Sequence, residues 1–373
     1  MAERPRDREL MARAIQLAAR GLYTTGCNPR VGCLLAHGDR IVGEGWHVRP
    51  GEGHAEVNAL RQAGGQAQGA TAYVTLEPCS HFGRTPPCAD ALVAAGVGRV
   101  VAAMGDPNPQ VAGGGLQRLR AAGIEVVCGV LEAEARALNP GFIKRMQQGL
   151  PWVRLKLAMS MDGRTAMASG ESQWITGPAA RADVQRLRAR SDAVISGADS
   201  VLLDDSALTV RAAELGLPEV EARAAAATQP LRVLVDGRLR VPPDRKLFRE
   251  PGPVLVVYSD RGQRGPDYQA GDAELLALPG DAGHVDLQAL LGELAGRGCN
   301  EVLVESGAAL GGAFWQAGLV DELVIYMAPR LLGSRARPLL QLPFDSMAEA
   351  EDLQITDMRA VGNDWRITAR RVC

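Results

Sequence analysis

GHAEVNAL at 53–60 and LEPCSHFGRTPPCAD at 76–90 decide how the first half of this chain is read. His54-Ala55-Glu56 opens the stretch HAEVNALRQAG (54–64), whose apolar residues recur at three- and four-residue spacing, the helical period. Pro78-Cys79 closes the run AYVTLEP (72–78), which reads as a strand, and Cys88 stands at the mouth of the helical ADALVAAGV (89–97). His54, Cys79 and Cys88 supply one imidazole and two thiolates, a soft tridentate set suited to zinc that leaves the fourth tetrahedral position for water. Water held in that way has a pKa near ~7, so hydroxide is available at neutral pH. Glu56 follows His54 too closely to be a comfortable fourth ligand and is well placed to handle protons. H-x-E…P-C-x-x-C is the pattern of zinc nucleobase deaminases, with the Glu as general acid/base. The match departs at one point, because the eight residues SHFGRTPP separate Cys79 from Cys88 where two are usual. Any one of the three, taken singly, is as often plain core packing. Jointly, each at an element boundary, they point to a metal.

Around this stretch, VGCLLAHG (31–38), RVVAAMG (99–105) and EVVCGV (125–130) read as strands and ARAIQLAARGL (12–22) as a helix. EAEARALNPGFIKRMQQG reads as one more helix running down to Gly149. Alternation of this kind predicts an α/β layer over a largely buried sheet. A second series begins at PWVRLKLAMS (151–160). It continues through a helix at 180–190, strands at 192–197, 231–236, 253–259 and 301–306, a helix through GAFWQAG and a strand at 319–329. The Ala/Glu-rich segment 212–229 is expected to be a surface insertion. The chain divides at Gly149-Leu150-Pro151.

Composition narrows the function classes. The 373 residues carry 41 Lys+Arg against 43 Asp+Glu, and residues 1–150 alone carry 16 against 13. Neither half has the basic stripe of a nucleic-acid binder, so no nucleic-acid partner is expected. The charged start MAERPRDRELMARA lacks the apolar centre of a signal peptide, and no apolar run is long enough for a bilayer, so no membrane partner is expected either. Seven cysteines are too few and too odd in number for a disulfide framework, and a cytoplasmic location is expected. Cys27, Cys33, Cys128, Cys299 and Cys373 have no motif partners and read as packing. Asn28, His47, His81, Arg84 and Asn108 are loop residues flanking the metal elements; each is equally well read as a turn-forming or solvated side chain.

The second half has no G-x-G-x-x-G between a strand and a helix. It has instead EVLVES (301–306), then Gly307-Ala308-Ala309-Leu310-Gly311-Gly312-Ala313, then a helix. A strand, a small-residue turn and a helix N-terminus can cradle phosphate with backbone N–H groups, or can simply pack tightly. Only three lysines occur, and Lys156 lies inside the apolar strand VRLKLAMS, where burial is expensive without a charged partner. A strand-edge lysine reaching solvent is the plainer reading. Asp162-Gly163-Arg164, the run from Gly170 to Thr176, Arg186, Arg188 and Arg190, and Asp204-Asp205 complete the polar set. The adjacent aspartates need a cation or a helix cap.

LEPCSHFGRTPPCAD, with NPRVGCLLA, GWH, GHAEVNAL and GDPNPQVAGGG, resembles the deaminase half of the bifunctional riboflavin-biosynthesis deaminase–reductases, through nearly all of residues 10–149. LKLAMSMDGRTAMASGESQWITG, DSVLLDDSALTVR and VESGAALGGAFWQAGLVDELVIYMAPRLLG resemble the reductase half, well over 151–211 and about 300–340 and weakly over 212–300. The resemblance implies an N-terminal cytidine-deaminase-like α/β/α layer and a C-terminal domain similar to dihydrofolate reductase. It implies a zinc-dependent pyrimidine deaminase domain at 1–149 and an NADPH-dependent reductase domain at 150–373. The first would hydrolytically deaminate 2,5-diamino-6-(5-phosphoribosylamino)pyrimidin-4-one, zinc-held hydroxide attacking the amino-bearing carbon while Glu56 moves the proton. The second would reduce the ribosyl group of 5-amino-6-(5-phosphoribosylamino)uracil to ribityl.

By position, the resemblance makes His54, Cys79 and Cys88 the zinc ligands and Glu56 and Lys156 catalytic. Ala158, Trp174, Ser200, Asp204 and the turn Gly307, Ala308, Ala309, Leu310, Gly311, Gly312 and Ala313 become cofactor contacts. Asn28, His47, His81, Arg84 and Asn108 fall to the deaminase substrate, and Ser172, Arg188, Leu208, Arg211 and Glu305 to the reductase substrate, whose 5′-phosphate suits the arginines. Cys27 before Asn28-Pro29, and Ala89, depart from the family pattern without being proposed ligands; Ser206 stands where proline is expected, and Ser200 where threonine is usual, a change that keeps the hydroxyl. Zn2+ and NADPH are the expected cofactors, a small phosphorylated pyrimidine the expected partner, and a homo-oligomer the expected assembly. Two other readings stand beside this one. One keeps the zinc deaminase but gives it a nucleic-acid base, with an accessory C-terminal domain. The other is a structural zinc module, closed by Cys33 or His81, fused to a binding domain.

Overall fold

The computed structural model describes residues 3–80, 86–109, 111–259 and 273–372. The chain separates into two compact units, Met1–Gly149 and Leu150–Cys373.

The first unit is built from α1 (Asp7–Ala19), β1 (Gly32–His37), β2 (Arg40–Trp46), α2 (Ala55–Ala63), β3 (Thr71–Val74), α3 (Cys88–Ala94), β4 (Arg99–Ala102), α4 (Gly114–Ala121), β5 (Glu125–Cys128), α5 (Glu132–Leu138) and α6 (Pro140–Gln148). Its sheet has the order β2-β1-β3-β4-β5, antiparallel on the β2 and β1 side and parallel from β3 to β5. Buried alanines, valines and leucines form one core between the sheet and α2, α3 and α4, and another against α1 on the opposite face. Cover on both faces of the sheet explains why the runs at 31–38, in antiparallel β1, and 99–105, in parallel β4, both read as continuously apolar.

Strand β2 has no such run, because Gly43 and Gly45 interrupt RIVGEGW, and periodicity alone does not mark it. The glycine has a reason. A Cβ on Gly45 would come within 2.4 Å of the Ala55 carbonyl oxygen, so only glycine lets the first turn of α2, with Glu56, lie flat on the sheet. The helix expected through to Gly149 is in fact two. Asn139 is not helical and precedes Pro140, which disfavours helical geometry in the residue before it. The Asn139 side chain instead pairs with the backbone of Arg30, accepting at 2.8 Å and donating at 2.9 Å. A buried ion pair ties α1 to the sheet. Arg99 donates two hydrogen bonds to Asp7, at 2.7 and 2.8 Å, and a third to Glu125, while Tyr73 also donates to Asp7.

The second unit comprises β6 (Trp152–Ser160), β7 (Arg164–Ala166), α7 (Pro178–Ala189), β8 (Ala193–Gly197), α8 (Ala198–Asp204), α9 (Glu219–Ala226), β9 (Leu231–Val235), α10 (Lys246–Arg249), β10 (Val254–Tyr258), β11 (Glu274–Ala277), α11 (Leu287–Gly296), β12 (Glu301–Glu305), α12 (Ala308–Gln316), β13 (Glu322–Ala328), β14 (Arg337–Pro338), β15 (Leu353–Val361) and β16 (Asp364–Arg371). Nine strands form one sheet in the order β11-β10-β9-β8-β12-β6-β13-β16-β15. Its members run parallel from β11 to β13, and β16 and β15 close the edge antiparallel. The separate pair β7 and β14 lies outside it. Segment 212–229 holds α9, with Ala222 and Ala225 buried, so it is partly packed and not wholly a surface insertion. The hairpin β15–β16 was not evident from periodicity. Almost every residue of β15 is exposed, so no buried face imposes alternation on it. Among the described residues no helix is long and apolar enough to cross a membrane.

Candidate functional site

Three elements of the first unit converge on a metal-binding geometry. His54 is the N-cap of α2, in extended backbone, and Cys88 is the first residue of α3. Cys79 follows β3, and its sulfur accepts the backbone N–H of Cys88 at 3.3 Å. His54 Nδ1 lies 3.2 Å from Cys88 Sγ and 3.7 Å from Cys79 Sγ, and the three donor atoms fall within 4.8 Å of one another. Zinc bonds of ~2.0–2.3 Å at tetrahedral angles give ligand separations of roughly 3.3–3.8 Å, close to those of the three donors, so the residues fit the ion. Hydrogen bonding from Cys88, and then from His54, pulls the Cys79 thiol down to about 4, while the same bond and burial push Cys88 up. Glu56 is 3% exposed, and burial pushes its carboxyl above the usual range. It lies near both sulfurs and His54, as a proton carrier for a buried site would.

Asn28 and His47 stand together beside this cluster. Asn28 Nδ2 is 3.0 Å from His47 Nε2, and the His47 ring meets His54 edge-on at 5.6 Å between centroids. Burial lowers the pKa of His47. Asn108 sits in the segment after β4, its N–H donated to Asp106 at 2.8 Å. His81 and Arg84 lie outside the described residues. Cys33 is buried within reach of the Glu56 charge but is not part of the metal cluster.

In the second unit Arg188 meets Glu305 at the C-terminal end of β12, the usual ligand-binding edge of an open α/β sheet, whereas Arg190 pairs with Glu301 at the other end of that strand. Lys156 on β6 stands opposite Glu305 on β12 in register. Arg188 of α7 donates to both Glu305 oxygens, at 2.5 and 3.0 Å, and to the Thr209 carbonyl at 3.1 Å. Burial raises the pKa of Glu305, but the Arg188 charge and hydrogen bonds, then Lys156, outweigh it and hold the carboxyl below its ordinary value. Burial depresses Lys156, with Glu305 opposing. Asp204 accepts the Ser172 hydroxyl at 2.7 Å, and Asp205, at the C-cap of α8 in left-handed backbone, accepts the Lys246 N–H at 3.0 Å. The neighbouring carboxylates thus have separate partners. Ser200 Oγ accepts the Gly307 N–H at 3.2 Å, tying α8 to the turn that starts α12. The buried Ser306 hydroxyl there has no partner among the described residues, and with the N–H groups that start α12 it offers the kind of donors a phosphate takes.

A family model described as the RibD C-terminal domain matches residues 151–367, and one described as the cytidine and deoxycytidylate deaminase zinc-binding region matches 4–104. The riboflavin biosynthesis protein RibD of Escherichia coli is 52% identical over 366 residues, covering 96% of this chain and 97% of its own. The chain belongs to the RibD family. The Acinetobacter baumannii RibD structure superposes with a TM-score of 0.91 at 48% identity, covering 99% of each chain. A Thermotoga maritima structure described as a diaminohydroxyphosphoribosylaminopyrimidine deaminase/5-amino-6-(5-phosphoribosylamino)uracil reductase gives 0.85 at 30% identity, covering 98% of this chain and 99% of its own. This RibD-family chain is therefore a bifunctional riboflavin-biosynthesis enzyme, a deaminase and a reductase, with zinc and NADPH as cofactors. The nucleic-acid deaminase reading is not favoured.

Of the remaining expected contacts, Ala158 lies on β6 opposite Tyr326 of β13. Trp174 is 61% exposed, with the Arg181 guanidinium 4.6 Å from its ring and Arg330 donating to its carbonyl at 2.8 Å. Leu208 is buried in left-handed backbone, and the Arg211 guanidinium is paired with Glu214 at 2.5 and 2.7 Å. Sequence reasoning missed Glu77 and Arg330. The acid of LEPC had a signal, a carboxylate placed inside an apolar strand end. Arg330 had none.

Proposed function

We propose that the first unit carries the deamination and the second the reduction, each on the phosphorylated pyrimidine expected from the resemblance. The single observation behind this reading is the triad of donor atoms from His54, Cys79 and Cys88 with buried Glu56 beside it. A bound zinc supplies Lewis acidity that makes water nucleophilic near neutral pH. Glu56 takes the proton of the water that adds to the amino-bearing ring carbon and hands it to the departing ammonia. Asn28 and His47 orient the ring, and Asn108, His81 and Arg84 are the further substrate contacts that the resemblance implies.

In the second unit, bound NADPH supplies a hydride for C1′ of the opened sugar. Ala158, Trp174, Ser200, Asp204 and the turn from Gly307 to Ala313 hold the cofactor. Lys156 faces the developing negative charge, while Ser172, Leu208, Arg211 and Glu305 hold the substrate. Arg188 binds the substrate with the N–H groups left over from its three bonds to Glu305 and Thr209. Product mass tests the reading directly. Zinc-loaded protein should give deaminated product without NADPH, and deaminated plus reduced product with it. Deamination alone would sink the assignment of the second unit.

A homo-oligomer is the second part of the proposal. Strand β15 ends the large sheet with Ile355 58% and Met358 51% exposed, beside Trp365 of β16 at 41%. An uncovered apolar edge strand is a template for pairing, and a second copy of the same edge satisfies it. Ile355→Lys is expected to reduce the mass seen by sedimentation velocity from oligomer to monomer; a monomeric native protein would refute this. Cys33, Cys79, Cys88 and Cys128 are free thiols, which supports a reducing, cytoplasmic location that cell fractionation checks.

A further inference from the structure

The acidic residue two positions before Cys79 has an unusual set of partners. Glu77 is 3% exposed, and among the described residues its carboxylate meets no cation. It accepts four backbone N–H groups instead. Oε2 takes Asp106 at 3.1 Å and Gly113 at 3.0 Å, and Oε1 takes Gly115 at 2.9 Å and Leu116 at 3.2 Å. Three of those donors are the N-cap and first-turn groups of α4, which have no partner within the helix. Glu77 therefore caps α4 from another element, with its charge at the positive end of the helix dipole. Its own N–H is donated to the Met104 carbonyl at 3.0 Å, so backbone and side chain hold the same segment.

That segment is pressed directly on the cysteine turn. A Cβ on Gly115 would fall 1.8 Å from the Pro78 carbonyl oxygen, a contact no side chain allows. The segment also carries Asn108, whose N–H is fixed by Asp106, the residue that Glu77 itself holds.

We propose that Glu77 is a positioning residue for deamination: its carboxylate locks the Asp106–Asn108 stretch and the start of α4 onto the Pro78-Cys79 turn, holding a metal-ligand turn and a substrate-contacting stretch in one register. The inference rests on the deaminase reading of the first unit. Glu77 touches neither the reacting atoms nor the donor triad, and acts through Asn108. Glutamine at this position keeps the size and one acceptor oxygen but turns an NH2 toward two of the four donors. Outer partners that orient a metal site typically matter by about 10–100-fold.

The test uses the full-length, zinc-loaded protein. Glu77→Gln should lower deaminase kcat/KM by about 10–100-fold, through KM more than kcat, with zinc content and reductase turnover measured on the same preparation unchanged. Asn108→Ala should give a similar rise in KM, and the double variant should lose little beyond Asn108→Ala alone, because the two act through one stretch. Native KM in Glu77→Gln, or fully additive losses in the double variant, would overturn the proposal. If Glu77→Gln does not fold, Glu77→Asp keeps the charge but withdraws both oxygens, and native KM in that variant overturns the proposal equally. His54→Ala in parallel separates the two levels. Deamination surviving there refutes the underlying reading, whereas unchanged Glu77 variants beside an inactive His54→Ala refute this inference alone.

Discussion

Glu56→Gln should lower deaminase kcat by about 10²–10⁴-fold, the range that a positioned general acid/base contributes, while leaving the zinc content of the protein intact. His54→Ala should lose both metal and deamination. The contrast is the informative part. Glutamine matches glutamate in volume and keeps a hydrogen-bonding oxygen, so a buried residue at 3% exposure can be exchanged without opening a cavity. What it cannot do is accept the water proton and release it to ammonia. His54 caps α2 with its ring nitrogen 3.2 Å from one thiol sulfur and 3.7 Å from the other, and removing it leaves two sulfurs without their third donor. Metal analysis by mass spectrometry and product mass on the same samples give both readings. A Glu56→Gln protein that deaminates at the native rate would eliminate the proton-transfer role. A His54→Ala protein that retains stoichiometric zinc would eliminate the ligand role.

The metal triad was legible in the sequence because its chemistry is written in residue type at element boundaries, and element boundaries follow from periodicity and glycine. His54 at one helix start and Cys88 at another needed no tertiary knowledge, whereas the strand read as running to Pro78 ends at Val74, and Pro78-Cys79 lies in the segment after it. The same holds for the parallel strands, whose double burial makes them continuous apolar runs. Where burial does not enforce a pattern, sequence said less. β2 was hidden by the glycines that α2 demands, and β15 by an edge with no buried face. Asn139 broke one expected helix into two because its side chain has a better partner in the Arg30 backbone than in a helix. Glu77 illustrates the remaining gap. A carboxylate beside a metal cysteine invites a metal or proton reading, and only the fold shows four backbone donors aimed at it.

In the second unit the largest effect is expected from breaking the Arg188–Glu305 pair. Arg188→Met keeps the length of the side chain and removes the guanidinium, leaving the buried Glu305 without its hydrogen-bonded partner and with only the lesser charges of Lys156 and Arg211 opposite it. Removing one partner of a buried ion pair costs about 3–5 kcal/mol, because the surviving charge loses the partner that offsets its burial. Urea unfolding of the reductase unit should therefore shift to a much lower midpoint, and reduction should fall with it. Replacing both partners tells stability from function. Arg188→Met with Glu305→Leu removes the uncompensated carboxylate and should recover part of the lost stability, since an apolar pair of similar volume is often neutral while buried Lys156 keeps only Asp204 as an opposite charge. It should not recover reduction, because Lys156 has then lost the carboxylate that favours its charged form. Glu305→Gln alone carries the same argument into pH. Burial already lowers the Lys156 pKa, and Glu305 opposes that shift, so its loss lowers the pKa further. If Lys156 acts as the acid, reductase activity fades as pH rises through that pKa, and the fading should begin at lower pH in Glu305→Gln than in the native enzyme. An alkaline limb that stays in place, or moves the other way, would remove Lys156 from the reaction.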